Sequence, residues 1–261
     1  MIGIDHLSLN VSHPDKVLFS DFSAQITPGE RIGIFGPNGA GKSTFLKALL
    51  GLFLPAQGQI KIDKKTIAYL PQEMDPLAID YSVAGFLKVV WRGSHWGLPT
   101  IGSVQHEIEA ALQKVDALPL QNTLLKNLSG GERKRVMLAA VLMGEPAILL
   151  LDEPLANLDP YFQKELLLLI DQLHQRLKLT ILITAHDFNP LLPYLDRVMF
   201  IGKEKALLDT PEQVINTETL SALYQTPLDV VEFKGRKWVL AGGQQVFLQT
   251  EHCHGGACVS V

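Results

Sequence analysis

Arg31-Ile-Gly-Ile-Phe-Gly-Pro-Asn-Gly-Ala-Gly-Lys-Ser-Thr44 is the stretch that decides the fold. A short apolar run, 31–35, enters a glycine-rich loop. From Ser43 onward, apolar residues recur at Phe45, Leu46, Leu49, Leu50 and Phe53, the spacing of a helix, and the run stops near Pro55. The segment between, Gly36, Pro37, Asn38, Gly39, Ala40, Gly41, Lys42, Ser43 and Thr44, has the form GxxxxGK followed by Ser or Thr. Its glycines let the backbone curl so that successive N–H groups face phosphate oxygens. Lys42 brings a positive charge to the β- and γ-phosphates, Ser43 offers a hydroxyl to Mg2+, and the helix behind adds the positive end of its dipole. At average residue frequencies the fixed positions arise by chance in roughly 1% of chains of this length. Between a strand and a helix the coincidence is rarer still, so the stretch predicts nucleotide binding.

A second stretch points the same way. Ala147-Ile-Leu-Leu-Leu-Asp-Glu-Pro154 is an apolar strand that ends in two adjacent carboxylates and is stopped by proline. Acids are common at solvated strand ends. Beside a phosphate loop, however, Asp152 is suited to hold Mg2+ and Glu153 to orient or deprotonate an attacking water. In Leu128-Ser-Gly-Gly-Glu132, Ser129 and Glu132 have the spacing of a helix capping box. Gly130 and Gly131 in the first turn cost up to about 1 kcal/mol each relative to alanine. A helix start so composed also suits an anion brought close to the backbone, and the two readings are compatible. Gln72 follows Tyr69-Leu-Pro, and His186 ends the run from Thr180 through Ala185. A lone Gln or His is usually structural, but these sit at strand ends, where Gln72 would reach Mg2+ and water and His186 a γ-phosphate.

Around these runs the layout is α/β. Residues 2–26 read as strands, with an alternation that breaks near His6, and Val17 to Phe19 and Ala24 to Ile26 form two further short stretches. Ile60 to Asp63 and Thr66 to Leu70 suggest another strand pair. From about Pro76 to Gly144 the pattern is helical, with an apolar stripe from Val83 to Trp91, a polar loop from Arg92 to Gly102 and an amphipathic helix over 103–115. Strands over 147–151 and 180–185, separated by a helix over 161–176, make a βαβ unit with parallel strands. The helical block therefore reads as a subdomain inserted into the α/β region.

The chain has 261 residues, 23 Lys and Arg against 27 Asp and Glu, a net charge of −4 that argues against a basic nucleic-acid-binding domain. Both cysteines, Cys253 and Cys258, fall near the end, so the folded body has no disulfide framework. The opening residues predict no signal peptide. No apolar run approaches the length of a membrane span, so a membrane role is expected to run through a partner.

Taken in order, the phosphate loop 36–44, Gln72, Leu128-Ser-Gly-Gly-Glu132, Ile148 to Pro154, Asn157-Leu-Asp159 and His186 resemble the ATP-binding-cassette (ABC) ATPases. The resemblance covers residues 1 to about 225. It implies a P-loop NTPase of ABC ATPase type: a RecA-like core, an N-terminal antiparallel β-subdomain and an inserted α-helical subdomain at about 76–144, followed by a β extension and a Cys/His tail over 226–261. It further implies that Lys42, Ser43 and Thr44 bind ATP and Mg2+, that Gln72 and Asp152 lie on the metal side, and that Glu153 is the catalytic base. Asp159 belongs to the D-loop, and His186 is the switch histidine. Ser129, Gly130 and Gly131 bind the γ-phosphate of ATP held by a second copy. The slot where the family stacks an aromatic ring on adenine holds His13 here, which implies weaker adenine selectivity, and Glu132 stands where Gln is commoner.

One cassette without a span resembles the separate subunit of a bacterial importer. That implies a homodimer on the cytoplasmic face of the membrane, bound to permease subunits through the helical block and served indirectly by an extracytoplasmic binding protein, with no nucleic-acid partner. Ala68 to Gln72, Val89 to Gly97, His186 to Val198 and Leu223 to Leu240 are similar to the zinc, manganese and iron importer ATPases. An iron chelate or cobalt is the competing cargo, and a soluble ABC ATPase acting in DNA repair or translation is the competing class. The tail offers His252, Cys253, His254 and Cys258 as a Zn2+ ligand set. The same residues also read as a mobile tail whose thiols stay reduced or pair on oxidation.

Overall fold

The computed structural model describes residues 1–12, 15–63, 67–72, 80–94 and 104–241. Its centre is a six-stranded sheet in the order β5 (Ile67–Leu70), β6 (Ile148–Leu151), β7 (Thr180–Thr184), β3 (Arg31–Phe35), β8 (Arg197–Gly202) and β9 (Lys205–Asp209). All neighbours are parallel except the β8–β9 pair. The strands are apolar without alternation because both faces are covered. Ile148, Leu150, Ile32, Ile34 and Leu182 pack into one buried cluster, and Leu149, Leu151, Phe35, Ile181 and Ile183 into the other. Successive residues of a strand point to opposite faces, so each strand divides its side chains between two cores.

The first core is closed by α1 (Lys42–Leu49) and by a second, antiparallel sheet, β2 (Asp15–Ile26), β1 (Ile2–Ser12) and β4 (Gln57–Lys61). Phe19, Phe22 and Phe45 meet there edge to face. The broken alternation near His6 is a bulge. His6 and Asp21 both have positive φ, and the β1–β2 register shifts between Ile4 and Leu7. Val17 to Phe19 and Ala24 to Ile26, expected as separate stretches, are one continuous strand bent at Asp21. The expected pair at 60–70 divides instead. β4 joins β1 in the antiparallel sheet, while β5 lies against β6 at the edge of the large sheet.

The second core holds α4 (Gly130–Leu142) and α5 (Pro160–Leu177), together with α2 (Val83–Ser94) and α3 (Val104–Lys114) of the helical block. Helix α1 ends earlier than its periodicity suggests. Gly51 takes a left-handed φ of 73°, its N–H bonds to Ala48 O, and the Leu52 N–H bonds to Lys47 O. These are the two bonds of a Schellman stop, which glycine permits at no steric cost. α2 extends through Ser94, three residues into the expected loop; residues 95–103 lie outside the described ones. After β9 the chain makes α6 (Pro211–Val214), α7 (Thr217–Tyr224) and a hairpin, β10 (Leu228–Phe233) and β11 (Arg236–Ala241), turned through Lys234 and Gly235 at φ 50° and 71°. Both central residues at positive φ is the twist-compatible two-residue turn.

Candidate nucleotide site and its paired carboxylates

Because β3, β5, β6 and β7 run parallel, their carboxyl ends share one edge of the sheet, the usual place for a ligand cleft in such folds. A cleft of about 540 Å³ lies there, lined by Val11, Leu18, Asn38, Gly39, Gly41, Lys42, Ser43, Thr44, Gln72, Glu153 and His186. Residues far apart in sequence are thus brought together.

The phosphate loop is held by contacts only its own residues allow. Gly36 has φ 146°, and a Cβ there would sit 2.0 Å from the carbonyl oxygen of Ile201. The Lys42 ammonium donates to Gly36 O at 2.9 Å and Pro37 O at 3.3 Å, which leaves one of its protons for a phosphate. Burial pushes the Lys42 pKa down, and the charges of Glu153 and Asp152 oppose that shift. Lys16, from β2, donates to Gly39 O at 2.8 Å and braces the outer side of the loop.

The two carboxylates are buried and differently dressed. Asp152 Oδ1 accepts from Ser43 Oγ at 2.9 Å and from Thr184 Oγ1 at 2.7 Å, and Oδ2 accepts from the Tyr69 hydroxyl at 3.1 Å. Burial, then the Asp152 charge and its hydrogen bond, drive the Tyr69 pKa well up, so the phenol stays a donor. Glu153 adopts φ 47°, a left-handed conformation that costs a non-glycine residue on the order of 1–3 kcal/mol and clusters at functional sites. Its N–H donates to Thr184 Oγ1 at 2.8 Å. Gln72 Nε2 donates to Glu153 Oε2 at 2.8 Å, and His186 Nε2 lies 2.9 Å from Oε1. Gln72 and His186, weak as single residues in the sequence, therefore converge on one carboxylate. The Lys134 ammonium of α4, its pKa lowered by burial, donates to the Gln72 carbonyl at 3.3 Å and ties α4 to this loop.

Ser129, Gly130, Gly131 and Asp159 are not among the described residues that line the cleft. The capping box is formed: Glu132 N donates to Ser129 Oγ, and the Ser129 N–H to the Glu132 carboxylate. A Cβ on Gly131 would meet Phe162 Cδ1 at 2.9 Å, so that glycine also serves the packing of α4 on α5. Asp159 caps α5, accepting from the N–H groups of Tyr161 and Phe162.

Sequence reasoning missed Thr184, Tyr69, Lys134 and Lys16. Thr184 carried a signal: it is the polar end of an apolar strand, and the register that pairs Leu151 with Ile183 sets Asp152 beside it. His13 and the tail residues His252, Cys253, His254 and Cys258 lie outside the described residues. Among the described residues no group of three or more His, Cys, Asp or Glu side chains is arranged for a metal ion. Mg2+ accompanying a nucleotide needs fewer, since phosphates and water complete its oxygen shell, and the Ser43 hydroxyl beside the Asp152 carboxylate fits that donor set.

A parallel sheet with a phosphate loop at its carboxyl edge and paired acids facing it defines a P-loop NTPase. The sequence pattern of the family described as ABC transporter matches residues 19–156, just over half of the chain. The chain belongs to that family and is an ABC-type ATPase, a subunit of a transporter. Solved structures agree. One, a transporter assigned to the metal-chelate type of ABC transporter and seen facing inward, is 25% identical with a TM-score of 0.78, covering 92% of this chain and 95% of that one. cbiO1 from Clostridium perfringens, part of the ABC transporter complex cbiONQ, is 26% identical with a TM-score of 0.74, over 85% and 92% of the two chains. The dimeric bacterial cassette MJ0796, at 20% identity and a TM-score of 0.68 over 80% and 98%, shares the fold. Among the described residues no helix is long and apolar enough to cross a membrane.

Proposed function

We propose that this ATPase powers an importer for a divalent transition metal, zinc or manganese, through a separate membrane permease. The observation that carries the chemistry is the Glu153 carboxylate, buried at the edge of the cleft and addressed by both Gln72 and His186. The backbone of 36–44 and Lys42 would bind the phosphates of ATP. Ser43 and Asp152 would hold Mg2+, which when bound offsets charge on the phosphate oxygens, and Gln72 would approach it through water. Thr184 and Tyr69 fix the Asp152 carboxylate so that it faces Ser43. Glu153 keeps lone pairs beyond its bonds to Gln72 and His186, and takes the proton of the attacking water. His186 orients that carboxylate and the γ-phosphate.

Ser129, Gly130, Gly131 and Asp159 are not among the described residues that line the cleft. In this reading they cover the ATP of a second copy in a head-to-tail homodimer, with contacts made only in the closed pair driving closure. His13 would lie against adenine. The helical block and the Gln72 loop would meet the permease at the cytoplasmic face of the membrane. An extracytoplasmic binding protein would deliver cargo to that permease.

The metal cargo is supported by the runs similar to the metal-importer ATPases and by the likeness, over 92% of this chain, to a metal-chelate type transporter. The same neighbour favours an iron chelate as the second reading. The tail enters only as a sequence pattern of soft donors, His252, Cys253, His254 and Cys258; replacing all of them lowers bound zinc if they hold it. The deciding experiment is uptake in cells lacking this chain, restored with wild type or Glu153→Gln. Zinc or manganese uptake restored by wild type alone supports the proposal. Restored uptake of an iron chelate alone gives the second reading, and restoration of none overturns both.

A further inference from the structure

We propose that Asn189 is a positioning residue for His186, and that the β10–β11 hairpin sets its place, so that the C-terminal hairpin tunes ATP turnover. The inference rests on the reading of His186 and Glu153 given above.

The loop after β7 carries His186 to Glu153 and then turns back. That turn is built on Asp187, whose Oδ1 accepts from the Asn189 N–H at 2.9 Å and from Asn189 Nδ2 at 3.1 Å. The amide oxygen of Asn189 points away from the loop and accepts the Lys237 N–H of β11 at 2.9 Å. The hairpin geometry makes that N–H available. Phe233 and Arg236 close the two-residue turn, so the next pair, Glu232 and Lys237, is a non-hydrogen-bonded one whose N–H groups face outward. The loop thus takes its outer support from a strand more than 40 residues away, the separation of Asn189 and Lys237 being 48. Its inner support is Phe188, edge to face on Phe35 immediately before the phosphate loop.

The hairpin in turn is fastened to the body on the same side. Lys237 Nζ donates to Ile215 O at 3.1 Å, Val230 N to Thr217 Oγ1 at 2.8 Å and Leu228 N to Ser221 Oγ at 2.9 Å. These bonds stabilise the hairpin but do not reach the loop. Among the described residues, only the Asn189 amide oxygen connects hairpin and switch loop by a hydrogen bond. Losing it frees the turn that presents His186, whereas the phosphate loop keeps all of its own contacts. Turnover and nucleotide affinity should therefore separate.

The test uses the full-length chain, ATP hydrolysis against ATP concentration, and circular dichroism to hold every variant at a temperature where it is folded. Asn189→Ala removes the acceptor and, with it, the Nδ2 bond to Asp187. Lys237→Pro removes the donor at an outward-facing strand position that tolerates proline. Lys237→Ala keeps the N–H and loses only the ammonium. Asn189→Ala and Lys237→Pro are each expected to lower kcat about three- to tenfold, the scale of one hydrogen bond, with KM within twofold of wild type. The double variant should fall no further than Asn189→Ala alone, and Lys237→Ala should keep a near wild-type kcat. A wild-type kcat for Asn189→Ala, or equal losses in Lys237→Ala and Lys237→Pro, overturns the proposal. His186→Ala separates the two failures. If it abolishes turnover while Asn189→Ala does nothing, only the hairpin's role is lost; if it leaves turnover intact, the reading of His186 fails as well.

Discussion

Thr184→Val exchanges a hydroxyl for a methyl at almost constant volume, at a position fully buried between the two carboxylates. The hydroxyl donates to Asp152 Oδ1 at 2.7 Å and accepts from the Glu153 N–H at 2.8 Å. Removing a hydrogen bond to an ionised group costs about 1.5–3 kcal/mol, and leaving a buried N–H unsatisfied about 1–3 kcal/mol. Ser43 and Tyr69 continue to donate to Asp152, so part of the first loss is absorbed, and a total of about 2–5 kcal/mol follows. For a chain of this size each kcal/mol lowers the melting temperature by roughly 2–4 °C, which gives a fall of about 4–20 °C. Thr184→Ser keeps both hydrogen bonds and gives up one methyl, worth roughly 1 kcal/mol. Thermal unfolding followed by circular dichroism, wild type beside both variants, reads the difference directly. Calorimetric ATP titration in Mg2+ should show weaker binding for valine alone, because an unanchored Asp152 no longer faces Ser43. Valine as stable as wild type, or serine as damaging as valine, would refute the argument that the hydroxyl, and not the packing, holds the pair.

Three further outcomes are expected. Lys42→Met should weaken ATP binding by about 1.5–3 kcal/mol, one charge-assisted contact to phosphate, and unchanged affinity in a filter-binding assay would remove Lys42 from the site. Gly36→Ala would drive its Cβ to 2.0 Å from the Ile201 carbonyl, so the melting temperature should fall by several degrees and ATP binding should be lost; a normal melt with normal binding contradicts that geometry. Asp196 reports on pH: burial raises its pKa, but the hydrogen bonds and charge of Arg31 outweigh burial and hold it below the usual carboxylate range. A depressed folded-state pKa stabilises above the unfolded value of about 3.9 and loses that contribution as pH falls through the folded one. The urea midpoint of Asp196→Asn should therefore lie below wild type at pH 7 and converge with it under pH 4, and a gap independent of pH would contradict the pairing.

The phosphate loop and the acids at 152 and 153 were legible because their chemistry is local: the residues that do the work are contiguous, and the strand or helix that presents them adjoins them in sequence. Gln72 and His186 were legible only through the family order, since what distinguishes them, two side chains meeting on one carboxylate, is a property of strand adjacency. Thr184 illustrates the same limit. The sequence places β6 and β7 in one βαβ unit, but only the register brings its hydroxyl to Asp152. The division of 57–70 between two sheets was hidden for another reason. Ile60 to Asp63 and Thr66 to Leu70 are close enough to suggest a pair, and nothing local reveals that one is drawn to β1 and the other to β6. The helix after the phosphate loop outran its true end because apolar spacing continues to Phe53, while the stop depends on the left-handed Gly51.

The central claim is that Glu153 takes the proton from water that attacks a bound ATP. Its most direct test measures bound ATP and released phosphate on the same Glu153→Gln sample, with Mg2+ present. Glutamine keeps the shape and accepts hydrogen bonds but is not a base at neutral pH. Retained binding with phosphate release slowed by about 10²–10⁴-fold is the predicted result. Release at the wild-type rate would contradict it.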